Sequence, residues 1–194
     1  MASIPGMDTG KGFAVALIHH PVYNRKGEIC ATAVVNADIH DLSRLARTYG
    51  AMRFYIVTPL QAQRELVFTL IRHWTEGYGA RFNPLRAQAL SLCDVKPELK
   101  DCLADIEQLV GASPRVCATG AGLKEGVTSY GDMKKIMAAE SKHPFLLIFG
   151  TGWGLTEEMV QKADYRLPPI TGVNGYNHLS VRCAAAIILD RLFS

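Results

Sequence analysis

Residues 144–194 constrain the fold of this chain more than any other segment. Phe145 to Phe149 form an uninterrupted apolar run, which is typical of a strand covered on both faces, and a glycine-rich stretch follows directly. The loop Leu167-Pro168-Pro169-Ile170 comes later, and apolar residues then recur at helical spacing from Leu179 to Leu192. The segment therefore predicts a strand, a glycine turn, a helix, a second strand, a stiff loop and a closing helix.

The rest of the chain alternates between short apolar runs and amphipathic segments, which indicates parallel βαβ units. We therefore predict an α/β domain of three layers with a mostly parallel sheet of five to six strands. A single domain is expected over residues 12–194, preceded by a flexible N-terminus, residues 1–11. The upstream strands are predicted at Phe13–Ile18, Arg53–Val57, Leu90–Val95 and Arg115–Ala118, and the helices at residues 39–49, 60–74, 97–110 and 130–139.

Two local features are predicted within this frame. Asn36 or Asp38 is expected to cap the helix over residues 39–49, which ends at a glycine. His19 to Gly27 are predicted to form a polar loop that closes on a turn after the first strand. The adjacent histidines of this loop point in different directions and have no evident third ligand, so no metal site is expected.

Composition narrows the class of protein. The 194 residues, 48% of them hydrophobic, suffice for one full core without metals or disulfides. The five cysteines are scattered, odd in number and form no CxxC pair, which predicts reduced thiols in a cytoplasmic protein. Neither a membrane span nor a signal peptide is indicated. The net charge of +3 permits an RNA partner without requiring one.

The glycine turn GTGWGLT indicates a nucleotide-like ligand without identifying it, because small residues let a bound molecule lie against the backbone. The turn lacks the lysine of a phosphate-binding P-loop. Its GxGxG spacing near the C-terminus also differs from the GxGxxG of dinucleotide-binding folds. A dinucleotide-dependent oxidoreductase remains a rival interpretation, and a glycine turn that serves packing alone is another.

Three segments resemble the motifs of the SPOUT class of S-adenosylmethionine-dependent RNA methyltransferases. FGTGWGL is similar to the second motif of that class, and LPPITGVNGYNHLSVRCAAAIILDRL to the third. VNADIHDLSRLARTYG matches the first motif when Arg44 takes the place of its arginine and Gly50 that of its glycine. LIHHPVYNRKGE, DIHDLSRLARTYG and YNHLSVRCA together resemble a bacterial subfamily found beside or fused to TrmD-type tRNA (guanine-N1) methyltransferases.

The resemblance implies a homodimer that acts on tRNA or rRNA, with the C-terminal part of each α/β domain threaded as a trefoil knot. S-adenosyl-L-methionine would lie in the knot, held chiefly by backbone groups of three loops. The cofactor-binding residues implied are Thr119 and Gly120 in the first loop; Phe149, Gly150, Thr151, Gly152, Gly154 and Leu155 in the second; and Leu167, Pro168, Ile170, His178, Leu179 and Ser180 in the third.

Arg44, Asp38 and His178 are the candidate catalytic residues. The resemblance assigns Arg44 to a substrate phosphate or to developing negative charge. Relatives that methylate the ribose 2'-oxygen have asparagine where Asp38 and His178 stand, so the target atom is open between that oxygen and a guanine base nitrogen. A base nitrogen needs a general base, for which Asp38 and His178 are available, with His40 behind them.

Further side chains have more than one interpretation. Trp153, inside the glycine loop, has two interpretations. It covers the adenine or a target base with its aromatic ring, or it is a packing residue.

A non-catalytic RNA-binding or partner protein of the same fold is the main alternative to an enzyme. The cations expected to form a basic groove across the homodimer are Arg25, Lys26, Arg44, Arg47 and Arg182.

Overall fold

The computed structural model describes residues 12–140 and 142–194, so the predicted flexible N-terminus, residues 1–11, lies outside the described residues. In chain order the elements are β1 (Phe13–Ile18), β2 (Val22–Tyr23), β3 (Ile29–Cys30), α1 (Asn36–Thr48), β4 (Arg53–Val57), α2 (Gln61–Thr75), α3 (Tyr78–Phe82), α4 (Pro84–Leu90), β5 (Cys93–Lys96), α5 (Leu99–Val110), β6 (Arg115–Ala118), α6 (Tyr130–Ala139), β7 (Phe145–Gly150), α7 (Glu157–Lys162), β8 (Tyr165–Arg166) and α8 (Val181–Phe193).

Six of these strands form one parallel sheet in the order β5-β4-β1-β7-β6-β8. The central strand β1 pairs with β4 on one side and β7 on the other, so that Leu17 lies between Ile56 and Phe149. Strands β4 and β5 follow β1 in sequence and extend the sheet on one side of it. The later strands β6, β7 and β8 lie on the other side. The strand order therefore reverses between β1 and β7, and ligands of open parallel sheets bind outside the carboxyl ends of strands at such a reversal.

Helices cover both faces of the sheet. Val15 and Leu17 of β1 pack into a core that includes side chains of α1, α2, α6 and α8, whereas Ala14 and Ala16 pack into a second core with α5 and α7. Because successive strand side chains point to opposite faces, a strand covered on both faces is apolar along its whole length. The predicted three-layer α/β architecture with a mostly parallel sheet of five to six strands is confirmed, and the sheet has six strands, all of them parallel.

Two predicted boundaries differ from the structure. Val35 occupies the N-cap position of α1 and makes no side-chain capping hydrogen bond, so the prediction that Asn36 or Asp38 caps this helix is wrong. The strand predicted at Leu90–Val95 is β5, which begins only at Cys93. Leu90 is instead the last residue of helix α4, whose N-terminus the Asn83 side chain caps, and a two-residue turn leads from it to β5.

The predicted polar loop after β1 contains the small antiparallel sheet of β2 and β3. Asn24 closes its turn, since the Asn24 Oδ1 accepts hydrogen bonds from the backbone N–H groups of Lys26 and Glu28 at 2.8 and 3.0 Å. This hairpin therefore stands between β1 and α1, at the edge where the strand order reverses. Among residues 12–140 and 142–194, no helix is long and apolar enough to cross a membrane.

Candidate cofactor and catalytic site

The carboxyl ends of β7, β6 and β8 bring the three predicted cofactor loops to one edge of the sheet. Because these strands are parallel neighbours, the residues at their ends, Gly150, Thr119 and Leu167, lie side by side. The buried Thr119 donates through its backbone N and its Oγ1 to Ile148 O, at 3.2 and 3.0 Å. The buried Leu167 donates through its N to Ala118 O at 2.9 Å. The loops therefore leave the sheet from fixed positions.

The third loop, residues 167–180, is tied to the first. The Tyr130 Oη donates to Pro168 O at 3.0 Å near the start of the third loop. The Asn177 Nδ2 donates to Ala121 O at 2.9 Å near its end. The third loop is therefore joined to α6 near its start and to the residue that follows Gly120 near its end, and Ile170 between these contacts packs against the core.

Ser180 ends the third loop as the N-cap of α8, and its Oγ accepts a hydrogen bond from Cys183 N at 3.3 Å. His178 and Leu179 before it are exposed. His178 is therefore neither a helix cap nor a buried core group. In the described part of the chain, no hydrogen bond or ion pair joins His178 to the other candidate catalytic side chains.

The glycine loop, residues 150–155, is a tight turn. Gly152 and Gly154 have φ angles of 58° and 104°, a region that side chains other than glycine rarely adopt. A Cβ on Gly150 would lie 2.6 Å from Leu155 N, and one on Gly152 would lie 2.8 Å from Tyr23 O. Close packing therefore explains why glycine is needed at the first two positions: Gly150 packs within the loop, and Gly152 packs against the hairpin strand β2.

Two other glycines, in or near these loops, have open space beside their Cα atoms. No heavy atom lies within 4 Å of the position that a Cβ would take at Gly154 of the glycine loop or at Gly122 beyond the first loop. The backbone N–H and C=O groups of Gly154 are already engaged, by Thr151 O and Tyr23 N at 3.0 Å each, so the open space lies beside its Cα, where a bound molecule can lie against the backbone. The three loops are therefore compatible with the cofactor that the resemblance implies.

The hairpin of β2 and β3 contacts the glycine loop on the β1 side of β7, opposite to the other two loops. Trp153 N donates to Tyr23 O at 2.8 Å, and Tyr23 N donates to Gly154 O at 3.0 Å. The Thr151 N and Oγ1 both donate to Ile18 O, at 3.1 and 3.0 Å. Backbone bonds to the hairpin and to the end of β1 therefore set the position of this predicted cofactor loop.

The sequence interpretation missed His19 as a part of this site. His19 is 1% exposed, its Nδ1 lies 2.9 Å from the Thr32 Oγ1, and that hydroxyl lies 2.5 Å from the Thr151 Oγ1. The His19 Nε2 is buried without a hydrogen-bond partner among the described residues. Burial lowers the pKa of His19 to about 4, so the ring is neutral at pH 7. One feature of the sequence could have predicted that His19 is buried. The apolar run of β1 continues into His19 without a turn residue.

Lowering the pH should destabilise the fold through His19. Between pH 6.5 and about 4 the unfolded chain binds a proton that the folded state excludes, so the free energy of unfolding should fall by about 3 kcal/mol over that range. The His19→Asn variant, whose amide replaces Nδ1 opposite Thr32, should lose this component. Urea unfolding at pH 7 and pH 4 measures it, with His20→Asn as the neighbouring control. Equal pH dependence in wild type and His19→Asn would contradict the assignment.

Asp38 and Arg44 lie on α1 where this helix packs beside the first turns of α8. The Asp38 Oδ1 is 3.2 Å from the Arg182 Nε, and the Arg182 Nη1 is 3.1 Å from the Asp41 Oδ2. Burial raises the pKa of Asp38, and the nearby Arg182 opposes that rise. Arg182 is one of the five cations expected in a basic groove, and the two carboxylates beside it offset its positive charge.

Arg44 differs from Arg182 in its surroundings. Its side chain is exposed and makes no ion pair among the described residues. With Arg182 it lines an open cavity of about 350 Å³ between α1 and α8. The structure therefore brings two of the three candidate catalytic residues, Asp38 and Arg44, to one region. In residues 12–140 and 142–194, no group of three or more His, Cys, Asp or Glu side chains is arranged to hold a metal ion.

Several known proteins are similar to this chain. Two tRNA (guanine-N(1)-)-methyltransferases, from Oleidesulfovibrio alaskensis and Nitratidesulfovibrio vulgaris, are 41% and 43% identical to it over 183 residues. Each match covers 94% of this chain and 42% of the relative, so the chain spans less than half the length of either. An uncharacterized protein from Aquifex aeolicus is 36% identical, over 93% of this chain and 87% of its own length.

Solved structures share the fold at low sequence identity. TrmJ from Z. mobilis has a TM-score of 0.59 at 15% identity, covering 94% of this chain and 68% of TrmJ. The AdoMet complex of the SpoU methyltransferase AviRb from Streptomyces viridochromogenes has a TM-score of 0.53 at 13% identity, covering 95% and 57%.

The match to a family model extends along the chain from Gly12 to the last residue. The family is described as SAM-dependent RNA methyltransferase, and the matched residues are 12–194. These residues include the glycine loop, the loop over residues 167–180 and both α1 and α8. The chain therefore belongs to the SAM-dependent RNA methyltransferase family, whose methyl donor is S-adenosylmethionine.

Proposed function

We propose that this protein transfers the methyl group of S-adenosylmethionine to RNA, with tRNA as the substrate class. The observation that carries the proposal is the convergence of the glycine loop and of residues 167–180 at one sheet edge, in a chain of this family. The name tRNA (guanine-N(1)-)-methyltransferase, carried by two relatives that the chain matches over 42% of their length, supports tRNA. The family match does not favour an oxidoreductase or a non-catalytic RNA-binding protein.

The proposed cofactor pocket is built from three loops at that edge. As the resemblance implies, backbone groups would supply most of its contacts, and the open space beside the Cα of Gly154 would let the cofactor lie against the glycine loop. The residues proposed to hold the cofactor are Thr119, Gly120, Phe149, Gly150, Thr151, Gly152, Gly154, Leu155, Leu167, Pro168, Ile170, His178, Leu179 and Ser180.

When bound, the donor supplies a methyl group that its sulfonium makes electrophilic, so the protein has to align the acceptor and remove a proton. The exposed guanidinium of Arg44 is suited to bind an RNA phosphate or negative charge that develops on the acceptor. The raised pKa of Asp38 brings its carboxylate closer to the range of an effective proton acceptor near neutral pH. Arg182 orients that carboxylate, and the exposed His178 is the second candidate base.

The proposed assembly follows the resemblance to the SPOUT class. Residues 12–194 would form one domain, with the C-terminal segment threaded as a trefoil knot, and two chains would form a homodimer in the cytoplasm. The five cysteines, which form no disulfide, are compatible with a reducing compartment. Light scattering coupled to gel filtration measures the assembly, and a monomeric mass across the micromolar range would refute the homodimer.

Ligand titration separates the proposed enzyme from the oxidoreductase. Calorimetry should show binding of S-adenosylhomocysteine at micromolar concentration or tighter and no binding of NAD. The opposite result would refute the methyltransferase proposal.

Methyl transfer separates an enzyme from an RNA-binding protein without catalysis. Tritiated S-adenosylmethionine should label the tRNA fraction of bulk RNA taken from a strain that lacks the gene. Mass spectrometry of the labelled nucleosides would distinguish a ribose 2'-oxygen from a guanine nitrogen. Absence of label from all RNA fractions would favour the non-catalytic protein.

A further inference from the structure

Trp153 is exposed on a loop whose backbone is held in place. The side chain is 65% exposed, so it is not the packing residue that one interpretation of the sequence allowed. Its backbone N–H donates to Tyr23 O, and the glycines on either side have positive φ angles. An aromatic side chain on a backbone that is already ordered loses little additional freedom when it binds a partner.

The surface beside Trp153 combines apolar area with positive charge. Ile29, which lies opposite Tyr23 in the hairpin, is 61% exposed. Arg25 and Lys26 are exposed in the hairpin turn, next to the strand that contacts Trp153. The Asn24 Nδ2 holds the carboxylate of Glu28, the acidic residue of the turn, by a hydrogen bond of 2.8 Å.

The order of the strands places this surface on the hairpin side of the glycine loop, away from the other two loops of the proposed cofactor pocket. The first and third predicted cofactor loops follow β6 and β8, which lie on one side of β7. Trp153 is bonded to the hairpin that follows β1, on the other side of β7. Of the two ligands considered for this indole, the adenine of the cofactor and a target base, the position on the β1 side favours the base.

We propose that Trp153 stacks on an unpaired base of the RNA substrate and that Arg25 and Lys26 contact phosphates beside it. The inference rests on the proposed function, because it assumes that RNA approaches this edge of the sheet. Aromatic side chains stack on unpaired bases of any sequence, and adjacent cations bind the backbone that carries them. The hairpin is therefore an RNA-contacting element that also supports the glycine loop.

The two tryptophans of the chain allow a direct test. Trp74 is half-buried, with the guanidinium of Arg86 4.5 Å from the centre of its ring. In a Trp74→Phe protein, Trp153 is the sole indole reporter. Titration with unfractionated tRNA should quench its fluorescence to a saturating limit. An emission that stays constant while tRNA binds, as measured by filter retention, would overturn the stacking.

Substitution of Trp153 tests the energy of the contact. Trp153→Ala should weaken tRNA binding roughly tenfold, Trp153→Phe should restore most of it, and the affinity for S-adenosylhomocysteine should be unchanged in both. Tyr78→Ala, which removes an aromatic ring that is 72% exposed on α3, is the matched control and should leave tRNA binding as in wild type.

Three results would overturn the inference: unchanged tRNA affinity in Trp153→Ala, an equal loss in Tyr78→Ala, or a loss confined to S-adenosylhomocysteine. The last of these would assign the indole to the cofactor. A wild-type protein that binds tRNA through Trp153 and transfers no methyl group would refute the proposed function and leave the stacking intact. Circular dichroism of each variant checks that the fold is retained.

Discussion

Gly150→Ala should weaken the binding of S-adenosylhomocysteine by about 100-fold, because a displaced glycine loop would lose about two hydrogen bonds to the ligand, each worth up to about tenfold in affinity. The new Cβ would lie 2.6 Å from Leu155 N and 2.9 Å from Gly154 C. Both are backbone atoms, so rotation of a side chain cannot relieve the clash. The glycine loop must move, and with it the backbone groups that we propose to hold the cofactor.

Calorimetry with S-adenosylhomocysteine measures this loss, and a second glycine provides the control. Gly131 lies in α6, where an added Cβ would meet only the Ser129 Oγ at 3.9 Å, so Gly131→Ala should bind the ligand as wild type does. Thermal unfolding of both variants separates a local change in the loop from a general loss of stability. Wild-type affinity in Gly150→Ala would show that this loop is not a wall of the cofactor pocket.

Arg44→Ala should reduce methyl transfer to tRNA by about 100- to 1,000-fold, the usual cost of removing one group that stabilises developing charge. Its guanidinium is exposed and makes no ion pair in the described residues, so its removal should not disturb the fold. The affinity for S-adenosylhomocysteine should stay within about twofold of wild type, since a loss in transfer alone marks an interaction made with the reacting substrate.

Arg47 is the matched control for Arg44. It lies on the same helix and is exposed, and as one cation of the expected basic groove it should affect tRNA affinity, so Arg47→Ala should retain most of the methyl transfer at saturating tRNA. Single-turnover transfer of a tritiated methyl group, together with calorimetry, gives both quantities for both variants. An equal loss of transfer and of cofactor affinity in Arg44→Ala would assign Arg44 to the pocket or to the fold.

The layered fold was predictable because each layer leaves a local pattern. The apolar runs at Phe13–Ile18 and Arg53–Val57 match β1 and β4 residue for residue, since strands covered on both faces have no polar side to interrupt them. The hairpin was not predicted, because β2 and β3 have two residues each and leave no periodic pattern. The cap of α1 was predicted wrongly, because Asn36 and Asp38 are favourable capping types but lie inside the helix.

The part of the candidate site that was predictable is the part formed by loops that directly follow predicted strands. The glycine loop and the loop over residues 167–180 follow β7 and β8, which pair with β6 on either side, so parallel pairing brings both loops to one edge. His19 was missed because its partners are remote in sequence: Thr32 and Thr151, which link it to the glycine loop, are 119 positions apart. The pairing of Arg182 with Asp38 likewise depends on the packing of α8 beside α1.

The sequence by itself determined the alternation of strands and helices, the glycine turn and the candidate residues, because periodicity and residue type act over a few neighbouring positions. Only the tertiary structure decided that Trp153 is exposed, that Arg182 is engaged by carboxylates and that the hairpin supports the glycine loop. The physical reason is the order of the strands. Placing β7 beside β1 sets residues from the two ends of the chain in contact, and no local pattern encodes that neighbour.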